Sequence, residues 1–192
     1  MRGALLGTVY LLLPLLGGAI VHGVCMRFDW LAFLKRPIDG GRTLRGRRWF
    51  GHSKTWRGPI LVGVGAALVW TLQQHVLHAL PAFAALELTD YAALPGAWFA
   101  ALAGFVAELG ELPNSFVKRR LGIAPGGTAR GTLAVLFYVW DQIDVVLGYW
   151  LVLVFVVAEA LLPCAVSLGI GTAIHPLLTL IGYGLRMRKT AR

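Results

Sequence analysis

The chain has 192 residues, of which 57% are hydrophobic and only 14% charged, with a mean hydropathy of +0.70. A soluble domain carries about 25% charged residues, so this composition excludes disorder and argues for the bilayer as solvent. Lys and Arg outnumber Asp and Glu by 18 to 9, a net charge of +9. In a membrane protein such an excess first marks cytoplasmic loops, before it suggests nucleic acid.

Stretches of about 20 apolar residues predict five spanning helices. In chain order they cover about Ala4 to Val24, Pro59 to Leu80, Leu94 to Leu112, Thr132 to Ala158 and Leu168 to Leu185. The first follows Arg2 but is too long for a signal-peptide core of about 7–15 residues, and it reads as a retained helix. Basic residues alternate between the loops. Nine lie in 27–57, four in 113–131 and four in the tail (Arg186, Arg188, Lys189, Arg192), whereas the loops near 81–93 and 159–167 have none. The expectation is an all-α, single-domain polytopic protein over 1–192, with its N-terminus outside and its C-terminus cytoplasmic. Two basic cytoplasmic loops, about 25–58 and 113–131, would form the site. Neither an internal repeat nor a low-complexity tract is evident. Cys25 and Cys164 offer no metal spacing and read as packing residues. His22, His75 and His78 read likewise, with Gln73 and Gln74 suggesting helix–helix hydrogen bonds. Trp30, Trp49, Trp98 and Trp150 fit interfacial belts.

Four carboxylates fall within the predicted spans, where ionisable groups are costly. Glu108 and Glu111, and likewise Asp141 and Asp144, are three apart and share a helix face. At about 1.5 Å per residue, Asp141 lies about 14 Å into its helix. There a carboxylate is paired, protonated, metal-bound or open to water. One reading pairs the acids with Lys118, Arg119 or Arg120 simply to hold helices together. The other uses their hard oxygens for Mg²⁺, which commonly takes one or two carboxylates plus substrate phosphates. The segment from Asn114 to Arg120 joins an amide, the Ser115 hydroxyl and three cations, and the Gly-rich 122–127 offers backbone for an anion. The other loop reads PIDGGR at 37–42 and GHSKTWRG at 51–58. It lacks the order of a Walker A, which excludes a P-loop NTPase. Topology and anionic headgroup binding would also account for basic loops. The interleaved Gly, Ser and Thr favour a phosphate site.

PIDGGR (37–42) leading into GRRWFGHSKTWRG (46–58), SFVKRRLGIAPG (115–126) and DQIDVVLG (141–148) resemble, in order and spacing, the CDP-archaeol synthase family. That family is related to CDP-diacylglycerol synthase, and the resemblance spans roughly residues 10–185. It implies a Mg²⁺-dependent cytidylyltransferase that makes CDP-lipid and pyrophosphate from CTP and a lipid phosphate in the bilayer. By the match, Asp141 and Asp144, with Glu111, would hold the metal. Lys118 and Arg119 would act in catalysis beside them. Asp39, Lys54, Thr55, Arg57, Ser115, Lys118, Arg119 and Arg120 would bind nucleotide and phosphates. Glu111 stands where the family usually has Asp, Pro113 and Asn114 replace apolar or glycine positions, and His52 replaces an acid. His175 matches a family histidine, and Thr179 stands where an asparagine is usual. Pro113 is expected to distort the end of the third helix. Two other classes stay open: a non-catalytic lipid- or nucleotide-binding relative, and a small ion- or proton-coupled transporter using the acids as a relay. Expected partners are CTP, a lipid phosphate and membrane lipids, with no nucleic acid. The oligomeric state stays open, a homodimer included. The expected location is the inner (cytoplasmic) membrane, multi-pass.

Overall fold

The computed structural model describes residues 2–91, 93–157 and 159–184, with side chains described up to Ala173. The basic tail residues Arg186, Arg188, Lys189 and Arg192 lie outside the described residues. The side chains of Arg2, His175 and Thr179 do so too. The chain is mostly helical: α1 (Arg2–Arg27), α2 (Arg57–His75), α3 (Pro81–Ala84), α4 (Ala97–Leu109), α5 (Glu111–Arg120), α6 (Thr132–Leu153) and α7 (Leu161–Gly184). A two-stranded hairpin, β1 (Thr43–Leu44) and β2 (Arg47–Arg48), sits in the first basic loop, with Thr43 opposite Arg48 and Leu44 opposite Arg47.

Among the described residues, three helices are long and apolar enough to cross a bilayer: Gly3–Arg27, Arg57–Ala79 and Thr132–Leu153. The third predicted span is shorter than expected. α4 has 13 residues, about 20 Å at 1.5 Å per residue, against an apolar bilayer core of about 30 Å. It yields to α5 at Gly110, which keeps helical dihedrals of −54° and −27°. Pro113, in the first turn of α5, cannot donate to the Leu109 carbonyl, so the helix breaks where the sequence led us to expect distortion. α7 contributes a shorter apolar stretch, Leu161–Ala173.

α2 packs between α1 and α4, and α6 packs against α4 and α7. Small residues set the spacing, because helices in lipid associate by close packing. A Cβ on Gly18 would lie 2.5 Å from the Val62 carbonyl oxygen, and one on Gly148 would lie 2.7 Å from that of Val106. Away from the basic loops, Trp70, Tyr91, Phe99, Tyr149 and Leu153 form a buried core. Polar side chains tie this half together. Gln73 Nε2 donates to the Tyr10 carbonyl (2.7 Å), Gln74 Nε2 to those of Tyr91 and Leu94 (3.0 and 2.8 Å), and Trp70 Nε1 to Pro95 (3.1 Å).

Two side-chain expectations change. Trp150 is a core residue, 4% exposed, and belongs to the buried cluster away from the basic loops. His78 has an acidic partner, Glu87, 3.0 Å from its Nδ1, and His22 lies 4.0 Å from Glu108. Local spacing missed both because the partners come from other segments. Cys25 is buried and both cysteines are free, in keeping with packing roles.

Candidate active site between the first basic loop, α5 and α6

The first basic loop is organised around Asp39. Its carboxylate is buried and accepts from Gly41 N–H (2.9 Å), Arg48 Nη2 (2.5 Å), and the N–H groups of Phe50 and Gly51 (both 3.3 Å). Burial alone would raise this carboxyl. The Gly41, Arg48, Phe50 and Gly51 donors outweigh it and hold Asp39 below the usual carboxylate range. A depressed folded-state value stabilises the loop above the unfolded value of about 3.9, and that contribution disappears as pH falls through the folded one. Hydrogen-exchange protection of the Gly41, Phe50 and Gly51 amides, corrected for intrinsic rates, should therefore hold down to about pH 4 and fall below it. The Asp39→Asn variant should lack it already at neutral pH. Protection that ignores both changes would mean that the carboxylate does not organise the loop.

The loop returns alongside its own start. Ile38 N–H donates to the Lys54 carbonyl (2.9 Å) and Pro37 pairs with Thr55 as an antiparallel bridge. That register directs the Lys54 ammonium to Glu111 of α5, with which it forms an ion pair. Lys54 also interacts electrostatically with Glu108, Asp144 and Asp141. Arg57 opens α2 and donates to Asp29 Oδ1 (3.0 Å). A hydrogen bond from Lys35, then this one from Arg57, hold the exposed Asp29 carboxyl below its ordinary value.

α5 supplies the opposite wall. Residues 111, 114 and 118 follow helical spacing, so Glu111, Asn114 and Lys118 share a face toward α6. Asn114, 2% exposed, donates through Nδ2 to Asp141 Oδ1 (2.5 Å) and Asp144 Oδ2 (2.9 Å). Lys118 pairs with Asp141 and lies over the Phe137 ring. Arg119 is buried, yet its Nε and Nη1 have no hydrogen-bond partner, and the Asn114 Oδ1 is buried and equally unpartnered. Gly51 brings the loop up to this cation: with φ at +102°, a Cβ there would lie 3.6 Å from Arg119 Nη1.

The structure thus brings together Lys54, Glu111, Lys118, Asp141 and Asp144, with Arg119 against Gly51 of the same loop as Lys54. Ser115 and Thr55 are half-buried; Asp39 holds its own loop, Arg57 holds Asp29, and Arg120 donates to carbonyls of the hairpin. Sequence reasoning missed Asn114 as the bridge between the two acids and Arg48 as the partner of Asp39. The i, i+4 relation of Asn114 to Lys118 was the only local signal. For a divalent cation, Asp141, Asp144 and the free Asn114 Oδ1 form an oxygen-only donor set. Among the described residues no three His, Cys, Asp or Glu side chains converge on one point. Mg²⁺ does not require that, since it commonly uses one or two carboxylates and takes phosphates for the rest.

Apolar helices carrying Asp141 and the buried Asp144, faced by Lys54 and Lys118 from two basic segments, mark a helical membrane protein with a candidate anion site. Residues 2–191 match the family model described as CarS-like CDP-archaeol synthase, and the chain belongs to that family. It is 39% identical over 136 residues to a CDP-archaeol synthase of Halobacterium salinarum, covering 71% of this chain and 64% of that one. A CDP-archaeol synthase of Methanoculleus marisnigri is 33% identical over 165 residues, 80% of this chain and 87% of the relative. One from Thermococcus gammatolerans is 44% identical over 98 residues, about half of each chain. The match to the Halobacterium relative thus spans slightly less than two thirds of that protein. No solved structure matches significantly.

Proposed function

We propose that this protein is a CTP-dependent cytidylyltransferase of the membrane, transferring CMP from CTP to a lipid phosphate to give CDP-lipid and pyrophosphate. The observation that carries the proposal is the buried Arg119 guanidinium with two unpartnered nitrogens, on the same helix as the Asn114 that bridges Asp141 and Asp144. A buried cation with unsatisfied donors is a costly arrangement that an anion relieves. Family membership supplies the reaction class.

The chemistry follows from charge. A lipid phosphomonoester is already an oxyanion near neutral pH, so its attack needs no general base. A lipid phosphate oxygen forms a bond to the α-phosphorus of CTP, the bond from that phosphorus to the β-phosphate oxygen breaks, and pyrophosphate departs with the electron pair. The obstacle is bringing two polyanions together, and positioning plus fixed charge supplies most of the acceleration in such transfers. Lys118, Arg119 and Lys54 offset the phosphate charge, and Asn114 aligns the two acids. Asp141, Asp144 and Asn114 Oδ1 would hold Mg²⁺, which when bound neutralises phosphate charge. Glu111, joined to Lys54 in this structure, would stand next to that set.

In this reading α4 with α5 and α7 add two crossings to the three long helices. The N-terminus is outside, and the basic loops face the cytoplasm at the cytoplasmic membrane, where CTP is found. Purified protein in detergent, incubated with labelled CTP, Mg²⁺ and a panel of ether-isoprenoid, diacyl and polyprenyl phosphates, should release labelled CDP-lipid from at least one of them. CTP-induced thermal stabilisation with no product from any acceptor would instead identify a non-catalytic binder, and neither effect would leave the transporter class.

A further inference from the structure

We infer that Arg47 and Arg120 are positioning residues that lock the β1–β2 hairpin onto the C-terminal end of α5, so that both walls of the phosphate site are held at one spacing; this rests on the cytidylyltransferase reading above. The final carbonyls of a helix lack intrahelical partners and carry partial negative charge. Arg47 Nη1 donates to two of them, those of Arg119 (3.4 Å) and Arg120 (2.9 Å). Arg120 returns the contact: Nη1 donates to the Leu44 carbonyl (2.5 Å), and Nη2 to those of Arg47 (2.9 Å) and Arg48 (2.6 Å). Each arginine therefore holds the backbone of the other's segment, across more than 70 positions of sequence. Neither has an ion-pair partner among the described residues.

Neighbouring groups fit the clasp. The Arg120 guanidinium lies over the Phe116 ring at 5.1 Å, and Phe116 meets Phe50 edge-on at 6.4 Å. Gly122, with φ at +79°, leaves room for Arg47, because a Cβ there would come within 3.0 Å of its Nη1. The consequence for the site runs through the backbone. Arg48 in β2 holds Asp39, Asp39 holds Gly51, and Gly51 abuts Arg119. Lys54 on the same loop faces Glu111 on α5. A nucleotide gripped by Lys54 on one wall and by Lys118 and Arg119 on the other depends on the distance between them. The clasp sets that distance without touching the nucleotide.

The alternative for two such arginines is direct phosphate contact, and lysine separates the two roles. A phosphate contact tolerates an ammonium as a point charge, whereas the clasp needs the planar fork that reaches several carbonyls at once. Arg120→Lys is therefore expected to behave like Arg120→Ala, with the KM for CTP raised about ten-fold and kcat within about two-fold of wild type. Arg47→Ala should have the same effect, and the double variant should be no worse than either single one, because one device is lost once. Independently of turnover, exchange of the Trp49, Phe50 and Gly51 amides in nucleotide-free protein should be faster in every clasp variant. A wild-type KM in Arg120→Lys, additive losses in the double variant, or unchanged exchange would each overturn the clasp. Absence of CDP-lipid formation by the wild-type protein would defeat the underlying reading alone, and the exchange measurement would still decide the clasp.

Discussion

Asp144→Asn is expected to abolish CDP-lipid formation while leaving the protein folded in detergent. Asp144 is 4% exposed and accepts a hydrogen bond from Asn114 Nδ2 at 2.9 Å. An isosteric amide presents an oxygen to the same donor, so the contact between α5 and α6 survives. What disappears is one negative charge in a poorly solvated site, where a preorganised charge contributes most to a transition state. Losing one such group typically costs about 10²–10³ in turnover, and a group that also helps to hold Mg²⁺ belongs at the upper end of that range. The thermal midpoint should stay or rise, because burying an amide costs less than burying a carboxylate. Mg²⁺-dependent product formation and the melting temperature of the same preparation check the two halves of this expectation. Turnover close to wild type would sink the assignment of Asp144, whatever happens to stability.

Gly110→Ala should damage stability and activity together. Helix propensity alone favours alanine over glycine by about 1 kcal/mol. Here the added Cβ would lie 2.4 Å from the Asp144 carbonyl oxygen and 2.9 Å from that of Ala107. Both are backbone atoms, which cannot swing aside as the end of a side chain can. Overpacking of this kind costs about 1–3 kcal/mol, and the displacement falls on the helix that carries Asp141 and Asp144. A shift approaching 1 Å at reacting groups can remove about 10²-fold of rate. Gly169 in α7 provides the control, since nothing lies within 4 Å of a Cβ placed there. Gly169→Ala is expected to keep both melting temperature and turnover. If Gly110→Ala melts and turns over like that control, the contact between Gly110 and α6 does not set the position of the acids.

Both expectations turn on residues that the linear chain marks unequally. The acids were legible, because a carboxylate in an apolar segment is conspicuous on energetic grounds and three-residue spacing places both on one face. Their use of Asn114 was not. Residue 114 stands in a basic segment, and only the approach of α5 to α6 makes its amide a bridge between two carboxylates. Arg119 and Arg120 show the same limit more sharply. Adjacent and chemically identical in the sequence, they diverge because successive helix positions point about 100° apart. One guanidinium is buried against Gly51 with two unpartnered nitrogens, and the other reaches the hairpin carbonyls. The third span was overestimated in length because hydropathy continues through Gly110 and Leu112, whereas Pro113 withholds a backbone donor and the helix breaks.

By itself, the sequence determined the solvent, the helical class, the family and the inventory of charges from which a phosphate site is assembled. Apolar content and period are properties of segments, and a segment keeps them wherever it packs. Tertiary structure decided which charge faces which: Lys54 with Glu111, Asp39 with its own loop, Arg47 and Arg120 with each other's backbone. Those pairings depend on helix rotation and on glycine-limited approach between segments tens of residues apart. Among the described cations, Arg47, Arg48, Lys54, Lys118 and Arg120 are held on backbone or acids, whereas the buried Arg119 keeps two side-chain nitrogens without a partner.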